Sequence, residues 1–219
     1  MDLHFIDSRE GWVVGVYGTI LHTEDEGETW EKQGWDEDRI YNNVCFIDSQ
    51  RGWIVGEYGT ILHTEDRGKH WKKQACKDIV PIVDLEDYAP PLPSFYDVYF
   101  QNPEKGWIVG LDGKMITTDD GGKNWIKLNS PVDLTLFKTI IIDDKGWAVG
   151  LRGNYVFSTD GGETWVQNEE SLSTKFWLRG LAFSDQNHGW MVGSIGTIIR
   201  TTDGGTNWEM LSGISIAQK

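Results

Sequence analysis

Residues 183–208 read FSDQNHGWMVGSIGTIIRTTDGGTNW, and this unit recurs along the whole chain. Its first half, Gly-Trp-x-Val-Gly, appears at Gly11–Gly15, Gly52–Gly56, Gly106–Gly110, Gly146–Gly150 and Gly189–Gly193. Each copy is followed at matched distance by a Ser/Thr-x-Asp-x-Gly-x-x-Trp box. The boxes are carried by Asp25 and Trp30, Asp66 and Trp71, Asp120 and Trp125, Asp160 and Trp165, and Asp203 and Trp208. Copies spaced by about forty to fifty residues specify a repeat architecture, in which no unit buries its apolar face alone.

Within the first unit, Leu3-His4-Phe5-Ile6, Trp12-Val13-Val14-Gly15 and Thr19-Ile20-Leu21-His22-Thr23 read as short strands, and Trp30-Glu31-Lys32-Gln33 starts a fourth. Turn signals between them mark an antiparallel meander. Apolar residues fall on both parities, as in Trp12-Val13-Val14, which calls for a sheet covered on both faces. A blade held between two others meets that demand. The expected fold is an all-β, five-bladed β-propeller with about four antiparallel strands per blade. The blades run at about residues 1–34, 40–76, 95–129, 137–168 and 178–212, as one domain over 1–219. A Pro-rich and acidic insertion, 77–94, lengthens the link into the third blade. No spare strand at either end is there to be swapped across a seam, so a closed ring would join through side chains.

In the box, the Asp carboxylate is expected to accept N–H groups of its own turn, and a glycine such as Gly205 to supply a positive φ. The Trp ring then covers the turn, worth at most about 5 kcal/mol by area. Ten of the twelve tryptophans sit at repeat positions; Trp35 and Trp177 do not. Cys45 and Cys76 belong to strands too far apart for a disulfide and should be free thiols.

A formal net charge of −14 argues against nucleic acid as a partner, since phosphate binding needs clustered Lys and Arg. No apolar run is long enough to span a bilayer, and Met1-Asp2-Leu3-His4-Phe5 reads as a strand rather than a signal peptide. His22 and His63 share one strand position, and His4, His70 and His188 lack ligand spacing, so neither metal nor cofactor is expected. No phosphate loop, dinucleotide fingerprint or nucleophile elbow occurs.

The box resembles the Asp-box, or BNR, repeat of sialidases and related propellers. The whole unit, FxDxxxGWxVGxxGxIxxTxDGGxxW, is more specifically similar to the photosystem II stability/assembly factor family. That resemblance covers nearly the full chain. It implies a propeller that binds protein rather than an enzyme, although family members known for assembly have more blades and an Arg-rich patch. Sialidases need three arginines from different blades. Here Arg9, Arg51 and Arg67 sit in turns and are expected to face water, and Arg39, Arg152, Arg179 and Arg200 form no recognisable set. Asp-box glycoside hydrolases of the xyloglucanase type use two large propellers, for which this chain is too short. No catalytic residue is assigned.

What varies is the turn between the second and third strands, namely Val16-Tyr17, Glu57-Tyr58, Leu111-Asp112, Leu151-Arg152 and Ser194-Ile195, and the links between blades. Variable loops on a constant frame are where specificity resides. Aromatics and Arg are enriched at binding hot spots, so the expected binding face is Tyr17, Arg39, Tyr41, Tyr58, Tyr96, Arg152, Trp177 and Arg179 around a central opening, with Phe137 among the link residues. The expected partner is another protein, with a glycan as the alternative. A monomer is favoured, with ring completion by a second chain as the other arrangement.

Overall fold

The computed structural model describes residues 1–34, 37–79, 92–168, 172 and 174–212. Trp35, residues 80–91 of the insertion with Pro81, Pro90 and Pro91, and the tail 213–219 lie outside them. The regular structure of the described chain is almost entirely strand, in five four-stranded antiparallel sheets, each made of four consecutive strands. This is the blade pattern of a five-bladed β-propeller. The first sheet is β1 (Asp2–Phe5), β2 (Gly11–Val14), β3 (Ile20–Thr23) and β4 (Glu31–Lys32). The second is β5 (Tyr41–Phe46), β6 (Gly52–Gly56), β7 (Ile61–Thr64) and β8 (Lys72–Gln74). The third is β9 (Phe95–Phe100), β10 (Gly106–Gly110), β11 (Met115–Thr118) and β12 (Ile126–Lys127). The fourth is β13 (Leu136–Ile142), β14 (Lys145–Gly150), β15 (Tyr155–Ser158) and β16 (Val166–Gln167). The fifth is β17 (Leu178–Phe183), β18 (Gly189–Gly193), β19 (Ile198–Thr201) and β20 (Glu209–Ser212). By contact the chain divides into two compact units, 1–108 with 116–127 and 109–115 with 128–219. No described helix is long and apolar enough to cross a membrane.

Each Asp box closes through a buried hydroxyl as well as through the carboxylate. In the first, the Thr23 hydroxyl donates to Asp25 at 2.8 Å and accepts the Gly27 N–H at 3.1 Å, while Asp25 accepts the Thr29 N–H at 2.9 Å. The same three bonds recur around Asp66, Asp120, Asp160 and Asp203. The hydroxyl is buried in all five boxes. A buried donor-acceptor without partners would cost more than it contributes, so Ser or Thr is required there. At the other turn on that end, Asp7, Asp48, Asn102 and Asp185 each accept two N–H groups from the two residues before the strand. The fourth sheet does without this: Ile142 pairs directly with Lys145, and Asp143 turns the chain at φ 52°.

Sheets are joined by an aromatic clamp. Trp12 stacks on Phe46 with centroids 3.5 Å apart, Trp53 on Phe100 at 3.7 Å, and Trp147 on Phe183 at 3.9 Å. The Phe ring lies over the glycine that opens its own second strand. A Cβ on Gly52, Gly106 or Gly189 would meet that ring at under 3.0 Å, which is why the motif reads Gly-Trp. Every residue of β6 and β10 is buried, as the apolar run predicts. The fifth sheet departs from it. Trp190 and Val192 on β18 are partly exposed where their counterparts are buried. Cys45 and Cys76 are free thiols, and burial pushes the Cys76 thiol up from its usual pKa.

Replacing Asp160 by Ala should cost about 1–2 kcal/mol through its stranded donors, whereas Asp160→Asn, which keeps one acceptor, should cost less. Donation from the Thr29 and Thr164 hydroxyls and amides holds Asp25 and Asp160 at a pKa of about 2. A folded-state value below the unfolded one means the contribution is complete above about pH 4 and is lost as pH falls toward 2. The melting temperature of the wild type should therefore drop through that window, and less steeply in Asp160→Asn. A melting temperature flat down to pH 2 contradicts this account.

Candidate turn-and-link edge

The end of each sheet away from its Asp box is built from two pieces of chain, the turn after the second strand and the link into a first strand. Tyr17, Tyr58, Asp112, Arg152 and Ile195 occupy the same place in the five turns, at φ 52° to 59°, each followed by a glycine at φ 63° to 70°. The carbonyl before each pair accepts the N–H after it at 3.0 to 3.2 Å. Two successive positive φ values make a type I′ turn, which suits Gly, Asn or Asp. Tyr, Arg and Ile each cost about 1 kcal/mol there. Turn geometry alone does not ask for these side chains.

The links are bonded to the turns through backbone. Gly18 donates to the Arg39 carbonyl at 2.9 Å, Glu57 to Ile40 at 3.0 Å, Gly59 to Pro93 at 2.7 Å, Leu151 to Thr135 at 2.9 Å and Ser194 to Trp177 at 3.1 Å. Register then slips by one residue early in the first strand. Tyr41 and Asn43 face Gly56 and Val55, Leu136 and Lys138 face Gly150 and Val149, and Leu178 and Gly180 face Gly193 and Val192. The extra residues are Asn42, Phe137 and Arg179, with Tyr96 at the same place in β9. A bulge re-aims the side chain it inserts.

The eight candidates therefore separate. In the first unit Tyr17 and Tyr58 are exposed on their turns, and Tyr96 is half-buried. The Arg39 guanidinium stands 5.6 Å from the Tyr58 ring, holds Glu37 at 2.8 Å and donates to Thr60. In the second unit Arg152 is exposed on its turn. Arg179 lies 4.7 Å from both the Phe137 and Trp177 ring centroids, and those rings meet edge to face at 6.3 Å. No carboxylate among the described residues pairs with Arg179. Tyr41 does not belong to the set. It is fully buried, as are Phe95, Leu136 and Leu178 at the same position, because the residue before the bulge anchors each first strand in the core. Burial, then the nearby Glu37 carboxylate, pushes the Tyr41 phenol up to about 12, and its hydroxyl has no partner among the described residues.

Polar groups at the opposite end also differ from the sequence reading. Arg51 pairs with Asp48 at 2.6 Å, and Arg67 binds Glu24 at 2.7 Å and approaches Glu10 at 3.9 Å rather than facing water alone. Glu10, His22 and Glu24 come close enough to share a cation, with His22 at 3.2 Å from Glu10. The Arg67 guanidinium already supplies the positive charge.

The family model described as photosynthesis system II assembly factor YCF48 matches residues 1–82, 82–176 and 168–219. A 31-residue stretch is 52% identical to the photosystem II assembly protein Ycf48 of Thermosynechococcus vestitus, spanning 14% of this chain and 9% of that protein. A structure of YCF48 bound to a D1 peptide is similar over 96% of this chain and 81% of its own, at 24% identity and a TM-score of 0.50. The GH74 xyloglucanase of Xanthomonas campestris matches 94% of this chain with 37% of its own, at 13% identity and a TM-score of 0.73. These last two are likenesses of fold.

The buried, unpartnered Tyr41 hydroxyl sets a test. Tyr41→Phe, which installs the residue found at position 95, should leave stability unchanged or raise it by about 1 kcal/mol. Chemical denaturation reads this directly. A loss of more than that would mean the hydroxyl is bonded in solution.

Proposed function

Because the chain belongs to the photosystem II assembly factor YCF48 family, we propose that it is a non-enzymatic propeller that binds a segment of another protein along its turn-and-link edge. The observation that carries this reading is Arg179. It is an exposed guanidinium flanked by Phe137 and Trp177 with no carboxylate partner among the described residues, in a protein of net charge −14. A guanidinium held beside aromatic rings keeps N–H donors suited to two-pronged contact with a carboxylate. The Trp177 ring beside it offers apolar area to the same ligand. A peptide with an acidic side chain or a free C-terminus next to an apolar residue fits both. Arg39 with Tyr58 is a weaker version of the pair, its charge being answered by Glu37.

The strained turns support the same reading. Tyr17, Tyr58 and Arg152 hold left-handed backbone that glycine would hold at lower energy. Their side chains are exposed, so core packing does not account for them. Binding to a partner does. A YCF48 of similar fold has been solved bound to a D1 peptide, and a peptide ligand is proposed here by that analogy.

Two probes test this, the D1 peptide and a displayed library of random peptides, each against wild type, Arg179→Ala and Trp177→Ala. The wild type should enrich acidic or C-terminally free sequences. Arg179→Ala should weaken them roughly tenfold or more, as loss of a charge-assisted contact does, at unchanged melting temperature. Tyr41→Phe should bind as wild type. Equal recovery by wild type and both variants would overturn the assignment of this edge.

A further inference from the structure

The second and third sheets, which belong to one compact unit, enclose a cleft of about 620 Å³ beside the third Asp box. The cleft between the first and second sheets is its counterpart, and there the chain fills the space itself. Arg67, which follows the box Asp66, binds Glu24 at 2.7 Å and stands 3.9 Å from Glu10. Glu10 in turn lies 3.2 Å from the His22 Nε2, and the Arg67 carbonyl accepts the Trp12 indole N–H at 3.2 Å. An anion and a cation thus stand together against a histidine stacked on a tryptophan. The second cleft repeats the frame, with His63 stacked on Trp53 at 4.6 Å and Glu65 at the place of Glu24. Both fillers are replaced. Arg51 takes the place of Glu10 and binds Asp48 at 2.6 Å, and Gly121 takes the place of Arg67. Trp53 is 1% exposed, yet neither its indole N–H nor the His63 Nε2 has a partner among the described residues. Burial holds the His63 pKa below its usual value, so its ring is neutral at pH 7.

We propose that this second cleft binds a small zwitterion of the α-amino acid type, which brings the anion and the cation that the first cleft carries within its own chain. The internal copy specifies the occupant. Its carboxylate belongs at the place of Glu10, against His63 and between the Arg51 and Lys72 side chains that line the second-sheet wall. The buried Trp53 N–H lacks an acceptor, and a carboxylate there is one. Its cationic group belongs at the place of Arg67, beside Glu65, with Asp119 of the third sheet lining the same space. A simple anion would leave Glu65 and Asp119 as like charges, and a simple cation would meet Arg51 and Lys72. In the first cleft the two charges approach to 3.9 Å, close enough for one small molecule to carry both. Arg67 itself shows that the space calls for an occupant. It holds φ 66° where Gly121 holds 71°, a backbone that favours glycine, and its guanidinium is what fills the cleft.

The test is titration of the full chain with each of the common α-amino acids at millimolar concentration, with acetate and methylammonium as half-ligands. Calorimetry reads affinity, and proton–nitrogen spectra follow the Trp53 indole and the His63 ring. At least one amino acid should saturate and shift both resonances with a single affinity, while each half-ligand binds roughly tenfold more weakly or not at all. Gly121→Arg, which installs the filler of the first cleft, should abolish the binding. Glu65→Gln, at an exposed position, should weaken it roughly tenfold at unchanged melting temperature, as loss of a charge-assisted contact does. It keeps the test open if Gly121→Arg fails to fold. Titrations without saturation would mean that the cleft holds solvent only, and they overturn the proposal. So does binding that leaves the Trp53 and His63 resonances unmoved, or that folded Gly121→Arg and Glu65→Gln retain in full. None of these outcomes bears on peptide binding at Arg179.

Discussion

A phenylalanine pressed between a glycine of its own sheet and a tryptophan of the sheet before it is the contact on which this structure depends. It explains three features of the motif together. The glycine is there because a Cβ would strike the ring, the tryptophan because an indole covers the ring's outer face, and the box tryptophan because it meets the ring's edge at about 6 Å. Each stacked or edge-to-face pair adds about 0.5–1.5 kcal/mol beyond area burial. Strands of four to six residues could not hold position by pairing alone. The fourth sheet does without the phenylalanine: Ile141 takes its place, and Gly146 sits against Ile141 and Trp165.

The Asp box does a different task at the same end. It ties a turn by bonds that are local in sequence, from a buried hydroxyl and a half-exposed carboxylate. Both turns at that end are thus set by short-range chemistry, and the clamp above them sets the spacing. The other end is left free of those demands. Its turns need only two positive φ values, and its links need only backbone bonds. Side chains such as Tyr58, Arg152 and Trp177 vary there without disturbing the frame. Separating a rigid end from a variable one is how a repeat protein comes to carry a specific site.

Much of this was legible in the sequence because it is periodic. The glycine-tryptophan runs and the boxes gave five sheets and their strands, and the Asp carboxylates bond as the turn chemistry requires. The hydroxyl of Thr23 and its equivalents was not read as buried, although its restriction to Ser or Thr was the available signal. Tyr41 has the residue type of a binding face, but its position in the repeat decides otherwise. Set beside Phe95, Leu136 and Leu178, it falls at a core position, and Asn42, Phe137 and Arg179 fall at the bulge. Arg67 was read as solvated because its ion pair with Glu24 joins residues far apart in the chain. The exposed face of β18 had no sequence signal, for Gly189–Gly193 repeats the motif unchanged.

Two places depart from the repeat in different ways. Trp190 is a frame residue, partly exposed where Trp12, Trp53 and Trp147 are buried. Arg179 is an insertion at a bulge, and the rings beside it, Phe137 and Trp177, recur in no other sheet. A guanidinium with no carboxylate pair among the described residues, flanked by two rings on an acidic chain, is the feature on which the proposed peptide-binding reading rests.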